Sequence, residues 1–423
     1  LAVAASKGDP EDQKYALSQL GAVARTGTQL FAFADFVQNF RGWGRALRSA
    51  MGAWYTEKDL DKLAYQVIKY RNRNGWTHRD VLRLAHPKAL EPGRQDLFKW
   101  IVSGDVGESA PRLLEGFIKA QAATTAKEFC ALIQKYKLSW EMLPTQALTH
   151  RSVWETLLRN SLPLTATLRN LGRMSRLNMF DDFDNLDIVK NKFGDVEYLK
   201  KSRIHPISIL SGMSTYSSGH GDKGKLIWTP SRKVIDILDK AFYAAFEAVE
   251  PTNKRTMLSL DISGSMGWES AFSGLTPRDL SAALSMVTAA VEDKTYINGF
   301  STSMVDLDIS PRRSLLDNVR TIQNMPFGGT DIAKPMQHAL NNGLKVDTFI
   351  IYTDGETWAG HQHPFQALER YRKETGIPAK LIVNGMTATG STVCNPDDAG
   401  SMAVVGFDSS APKLMADFSR GDF

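Results

Sequence analysis

Residues 258–270 read LSLDISGSMGWES, an apolar run that opens into an acid, hydroxyls and glycines. Three chemistries use such residues. A nucleophile elbow requires Gly-x-Ser-x-Gly, but Ser263 stands two before Ser265, where the first glycine belongs. A phosphate loop requires a lysine after its glycines, and none follows Gly267. What remains is Asp-x-Ser-x-Ser: Asp261, Ser263 and Ser265 alternate as the apolar run ends, so three oxygens can turn to one point. Mg²⁺ takes oxygen ligands in octahedral array and keeps several waters, which suits two hydroxyls with a carboxylate one water away. Two other strings offer further oxygens. FGGTDI carries Thr330 after a glycine pair, and IIYTDGET carries Asp354 just past an apolar run. The full set is Asp261, Ser263, Ser265, Thr330 and Asp354.

Residues so far apart need a scaffold to bring them together. TMLSLDIS, KTYINGFS, DTFIIYTD, AKLIVNGM and MAVVGF suit buried strands, and helical patterns at 277–293, 332–343 and 365–375 alternate with them. Such alternation predicts a mostly parallel sheet covered on both faces, with ligands at the carboxyl ends of its strands. The first half differs. Up to about residue 175 it reads as successive short helices, among them GWGRALRSAMGAWYTEKDLDKLAYQVIKYRNR and THRDVLRLAHP, and this succession predicts an α-solenoid. An acidic insertion, NMFDDFDNLDIVKNKFGD, interrupts it and is read as a surface loop or a region that repels polyanions. The expected domains are 1–250, helical, and 251–423, α/β.

Charge follows the same division: 36 Lys+Arg face 27 Asp+Glu in residues 1–250, against 15 and 19 in 251–423. The helical part is therefore the basic one. Residues 41–88 hold eleven basic and four acidic side chains, interleaved with aromatics. Such a mixture can displace counterions from phosphates and stack on unpaired bases; solvated amphipathic helices are the plainer alternative. Only Cys130 and Cys394 occur, outside any metal or disulfide spacing, and no run long enough to span a membrane is present. A reducing, cytoplasmic setting is expected. The chain begins without methionine inside a helical pattern, so a native N-terminal segment is expected to be missing.

The five oxygen-bearing residues, in this order and context, resemble a metal-ion-dependent adhesion site, and residues 254–423 resemble a von Willebrand factor A (vWA) domain. Such a site leaves one coordination position open to a partner's carboxylate. GWGRALRSAMGAWY, VIKYRNRNGWTHRDVLRLAHP, PLTATLRNLGRM, RIHPISIL and GHGDKGKLIW resemble successive signatures of the Ro ribonucleoprotein, or TROVE-domain, family, and PAKLIVNGMT and NPDDAGSMAVVGFD continue the similarity. The resemblance implies HEAT-like α-helical repeats forming a ring that the α/β vWA domain closes. It also implies a monomer that is not an enzyme. Such a protein would bind small Y-like RNA on an outer basic surface and single-stranded ends of misfolded noncoding RNA in its hole, in RNA quality control beside an exoribonuclease. By motif, Lys69, Arg73 and His86 match basic positions that contact Y RNA. Lys69 and Arg73, four apart, would share a helix face. Arg45 and Arg48 are further RNA-binding residues, as are His220 and Lys225, placed by charge and motif.

Trp43, Trp54 and Trp76 are read as core and His205 as structural. Two alternatives stay open. One is a protein-interaction adaptor whose metal site captures an acidic residue. The other, a nuclease, is disfavoured because the site lacks the carboxylates of a two-metal mechanism.

Overall fold

The computed structural model describes residues 1–160, 162–221, 224–268, 275–323, 325, 329–355, 359–386, 393–406 and 410–422. The chain separates into two compact units, Leu1–Leu162 and Pro163–Phe423.

The first unit is built of short helices, including Gly27–Gln38, Arg45–Thr56, Leu60–Lys69, His78–Ala85, Pro92–Ser103, Arg112–Ala122 and Ala126–Tyr136. Their starts are set by side chains that satisfy the free N–H groups of a first turn. Thr26 with Gln29, Thr77 with Asp80 and Thr125 with Glu128 each form a reciprocal capping box. Trp54, Tyr55, Phe31 and His78 fill the centre of this unit. There the Tyr55 hydroxyl meets His78 Nδ1 at 2.7 Å, and burial pushes the imidazole pKa down to about 4.

The helical reading of residues 42–73 needs correction. The chain breaks at Glu57–Asp59, where the Asp59 carboxylate accepts from the Lys62 N–H and starts a new helix. That helix ends at Lys69. Strands β1 (Asn72–Arg73) and β2 (Trp76–Thr77) then form an antiparallel hairpin. Its turn is Asn74-Gly75, with φ of 52° and 76°, the left-handed pair that a two-residue hairpin loop demands. Lys69 and Arg73 therefore share no helix face.

In the second unit, helices Leu164–Arg176, Phe183–Gly194, Val196–Ser202, Pro206–Ser218 and Arg232–Ala244 precede a six-stranded sheet. The acidic insertion is not a loop. Asp182 caps the Phe183–Gly194 helix by accepting from the Asp184 N–H, and Asp184 lies in its first turn with Lys192 in its last. Acids at the amino end and a base at the carboxyl end complement the helix dipole, which gives this charge a structural use.

The sheet comprises β3 (Thr256–Asp261), β4 (Thr295–Phe300), β5 (Met304–Asp306), β6 (Thr348–Thr353), β7 (Lys380–Gly385) and β8 (Ser401–Val405) in the order β5-β4-β3-β6-β7-β8. All neighbours are parallel except the antiparallel pair β4–β5. Every residue of β3 and β6 is buried, as expected where helices cover both faces. The expected architecture, a helical region followed by an α/β domain, is what the chain forms. Short β5 and the helices Leu315–Gln323 and Ala411–Arg420 were not expected from the sequence pattern. From β3 the chain passes to β4 on one side and later to β6 on the other, so the switch point that favours a ligand crevice lies at the carboxyl end of β3.

Candidate metal centre and nucleic-acid interface

Parallel pairing of β3 with β6, in the register Leu260↔Tyr352, brings Asp261 level with Thr353 and places Asp354 one residue beyond. Asp261 is 1% exposed. Its carboxylate accepts from the Ser263 N–H at 2.8 Å and from the Thr353 hydroxyl at 2.7 Å. Burial raises its pKa; those two hydrogen bonds act downwards, and the negative charge of Asp354 adds to the rise. Two acids so placed favour a cation between or beside them.

Ser263 and Ser265 sit at the start of the tight turn Gly264–Gly267, their hydroxyl oxygens 3.1 Å apart. Adjacent ligands of an octahedral ion with bonds of about 2.0–2.1 Å lie about 3 Å apart, so this pair has the span of two neighbouring ligands. Thr330 reaches the same edge by backbone bonds. The Asp331 N–H donates to the Ser301 carbonyl just past β4, and the Ala359 N–H donates to the Thr330 carbonyl from the segment after β6. Gly328 and Glu356, the flanking residues named in the sequence pattern, lie outside the described residues. Among the described residues no group of three His, Cys, Asp or Glu side chains gathers as a metal site. The donors at this edge are hydroxyls and carboxylates, hard oxygens that fit Mg²⁺ and not a soft metal.

The residues matched to RNA contacts separate into two kinds. Lys69 is turned inward. Its side chain is 18% exposed and pairs with Glu141 at 3.3 Å, and its Nζ donates to the Tyr65 hydroxyl at 3.0 Å. Burial pulls its pKa down, but the Tyr65 hydrogen bond and the Glu141 charge outweigh this and leave it raised. Arg73, Arg45, Arg48 and His86 are instead exposed. Arg45 and Arg48 lie in the first helical turn of Arg45–Thr56, where the dipole disfavours cations. His86 ends the His78–Ala85 helix with φ 47° and ψ 50°, ahead of Pro87, which cannot continue a helix. A Cβ on Gly52 would stand 3.4 Å from the Pro87 ring, so His86-Pro87 lies beside the helix that carries the two arginines. His220 and Lys225 belong to the second unit; both are exposed, with His220 bridged to Ile227. Asp222 and Lys223 of the same string lie outside the described residues.

The aromatics divide as well. Trp54 is core, at 2% exposure. Trp43 and Trp76 are only half-buried, with ring centroids 5.6 Å apart, so the reading of these two as core was incomplete. The NG hairpin signal could have located Trp76 at the surface. His205 is structural: its Nδ1 accepts from the Ile207 N–H at a helix start, and burial pushes its pKa down to about 4.

Comparison with known proteins places this geometry in a family context. Residues 6–110 and 106–214 match the model of the TROVE domain, and 255–419 match that of the Ro60 vWA domain. A Deinococcus radiodurans protein named RNA-binding protein RO60 is 40% identical over 430 residues, an alignment covering 99% of this chain and 80% of that protein. A Caenorhabditis elegans protein of the same name is 35% identical over 466 residues, covering 96% of this chain and 72% of the relative. The crystal structure of the Deinococcus radiodurans RO (RSR) protein matches with a TM-score of 0.89 at 39% identity, covering 100% of this chain and 86% of that one.

Proposed function

The chain belongs to the Ro family of RNA-binding proteins, with a TROVE domain followed by a Ro60-type vWA domain, and we propose that it binds small noncoding RNA without cleaving it. The observation that carries this reading is the exposed basic face of the first unit, where Arg45, Arg48, Arg73 and His86 accompany the half-exposed rings of Trp43 and Trp76. Unpaired guanidinium groups neutralise phosphates, and indole faces accept unstacked bases. The partners proposed are a Y-like RNA and the single-stranded ends of misfolded RNA, which an exoribonuclease would then process. Gel-shift titration of a hairpin RNA with a 3′ single-stranded tail tests the reading. Salt-sensitive binding with no loss of RNA length is expected. Absence of binding at low salt, or shortening of the RNA by the purified protein, would overturn it.

The cup at the end of β3 is proposed to hold Mg²⁺ through Ser263, Ser265 and Thr330, with Asp261 and Asp354 supplying charge. Bound there, the ion would give a fixed positive centre that can take a partner's carboxylate. An exposed Trp268, three residues beyond Ser265 and 75% accessible, favours a second role of this edge in protein recognition.

A further inference from the structure

A basic concavity of the first unit lies away from the residues named above. A groove of about 880 Å³ is lined by Arg25, Lys58, Lys62, Arg112, Lys135 and Lys137, against only Asp59 and Asp61. Among the described residues, none of these six cations has a carboxylate oxygen within 4 Å. Asp59 is already engaged as the cap that accepts from the Lys62 N–H at 3.0 Å.

Helix ends explain only part of this charge. Lys135 and Lys137 sit at the carboxyl end of the Ala126–Tyr136 helix, where the dipole favours cations, and Arg112 donates to the Lys135 carbonyl at 3.1 Å. Lys62 has the opposite placement. It lies in the first turn of the Leu60–Lys69 helix, where a positive charge is disfavoured. Lys58 is half-buried over the Trp54 ring, 4.6 Å from its centroid, and burial lowers its pKa while nearby Glu57 acts the other way. Six cations with no carboxylate within reach among the described residues, Lys62 among them set against its own helix dipole, call for an anion from outside the chain.

Its position separates this groove from the first basic face. Lys58 follows the carboxyl end of the twelve-residue Arg45–Thr56 helix, about 18 Å along from Arg45 at 1.5 Å per residue. Lys62 opens the next helix, and Arg73 lies beyond that helix's far end.

We infer that this groove is a second polyanion site, which takes the phosphate backbone of a single-stranded stretch of RNA irrespective of sequence. The inference rests on the RNA-binding function proposed above. A flexible strand can bend into a concavity of this size, whereas a stiff duplex meets only its rim. The half-exposed Tyr65 ring in its lining offers a face for one unpaired base. Contacts here are to phosphate, so base identity is not read.

The test is fluorescence anisotropy of the full chain with a labelled oligouridylate across a salt series, comparing the triple variant Arg25→Gln/Lys62→Gln/Lys135→Gln with the control Lys14→Gln/Lys127→Gln, which removes exposed charge outside the groove. Circular dichroism melts confirm that both fold. The groove variant is expected to lose at least about tenfold in affinity at 0.1 M salt, its log–log salt slope falling by about 2, near 0.7 for each lost phosphate contact. The Lys14/Lys127 variant should retain its oligouridylate affinity. If oligouridylate binding is unchanged in the groove variant and a tailed hairpin RNA still binds the wild-type chain, the groove inference falls while the proposed function stands. If the wild-type chain binds neither RNA, both fall. If the groove variant loses affinity for a polyglutamate peptide but not for oligouridylate, the occupant is an acidic protein and the inference is likewise overturned.

Discussion

The Thr353 hydroxyl donates a 2.7 Å hydrogen bond to the Asp261 carboxylate across the boundary between β6 and β3. In the proposed Mg²⁺ site this bond would orient Asp261 without Thr353 itself being a ligand. Thr353→Val, similar in shape, removes that donor and leaves the strand intact. Differential scanning fluorimetry with and without 5 mM MgCl₂ should show a Mg²⁺-dependent rise in Tm for the wild-type chain, a smaller one for Thr353→Val and none for Asp261→Ala. A rise that survives in Asp261→Ala would remove the ion from this site.

Lys69 and Arg48 should respond in opposite ways to loss of charge. Lys69→Gln strips Glu141 of its cation in a partly buried setting, so a stability loss of about 1–3 kcal/mol is expected in urea melts, with little change in RNA affinity at temperatures where the variant is folded. Arg45→Gln/Arg48→Gln removes cations disfavoured by the dipole. Stability should hold or rise slightly, while affinity for a structured small RNA falls and its salt dependence becomes shallower. A loss of RNA affinity in Lys69→Gln equal to that of the arginine pair would show that Lys69 leaves Glu141 to meet RNA.

Gly75 adopts φ 76° at the hairpin tip, with nothing within 4 Å of the position a Cβ would take. The cost of Gly75→Ala is therefore conformational and not steric, about 1 kcal/mol. Because the turn presents Arg73 and Trp76, RNA binding should weaken more than global stability does. Equal RNA affinity in Gly75→Ala and wild type would mean that the hairpin lies outside the contact surface.

Burial holds His78 and His205 at a pKa of about 4, against about 6.5 in an open chain. The unfolded chain therefore takes up protons first as pH falls. Stability complete above pH 6.5 should decline steadily towards pH 4, by up to about 3 kcal/mol for His78 and less for half-buried His205. Urea midpoints at pH 7.5 and 5.0 check this, and a midpoint independent of pH over that range would contradict it.

The meeting of these strand ends was legible because each part follows an apolar run. Asp261, Ser263 and Ser265 follow one apolar run, Asp354 follows another, and strand pairing does the rest. Lys69 was not legible, because its partner Glu141 comes from a distant turn that no periodicity couples to it. The NG turn that separates Lys69 from Arg73 carried a signal, but the helical pattern on either side masked it. The acidic run at 181–187 became intelligible only once Asp182 was seen to start a helix. The basic groove collects residues from four separate segments, so composition shows the charge without showing that it gathers in one place.

Trp268 gives the loop that follows Asp261 an optical signature. Among the described tryptophans it is the only one classed as exposed, so a collisional quencher such as acrylamide meets this indole ahead of the half-buried and buried ones. In a Trp358→Phe variant, which removes the one tryptophan outside the described residues, the quenchable fraction of the emission reports on the segment that leaves β3, and an ion or partner arriving there can be followed without a label.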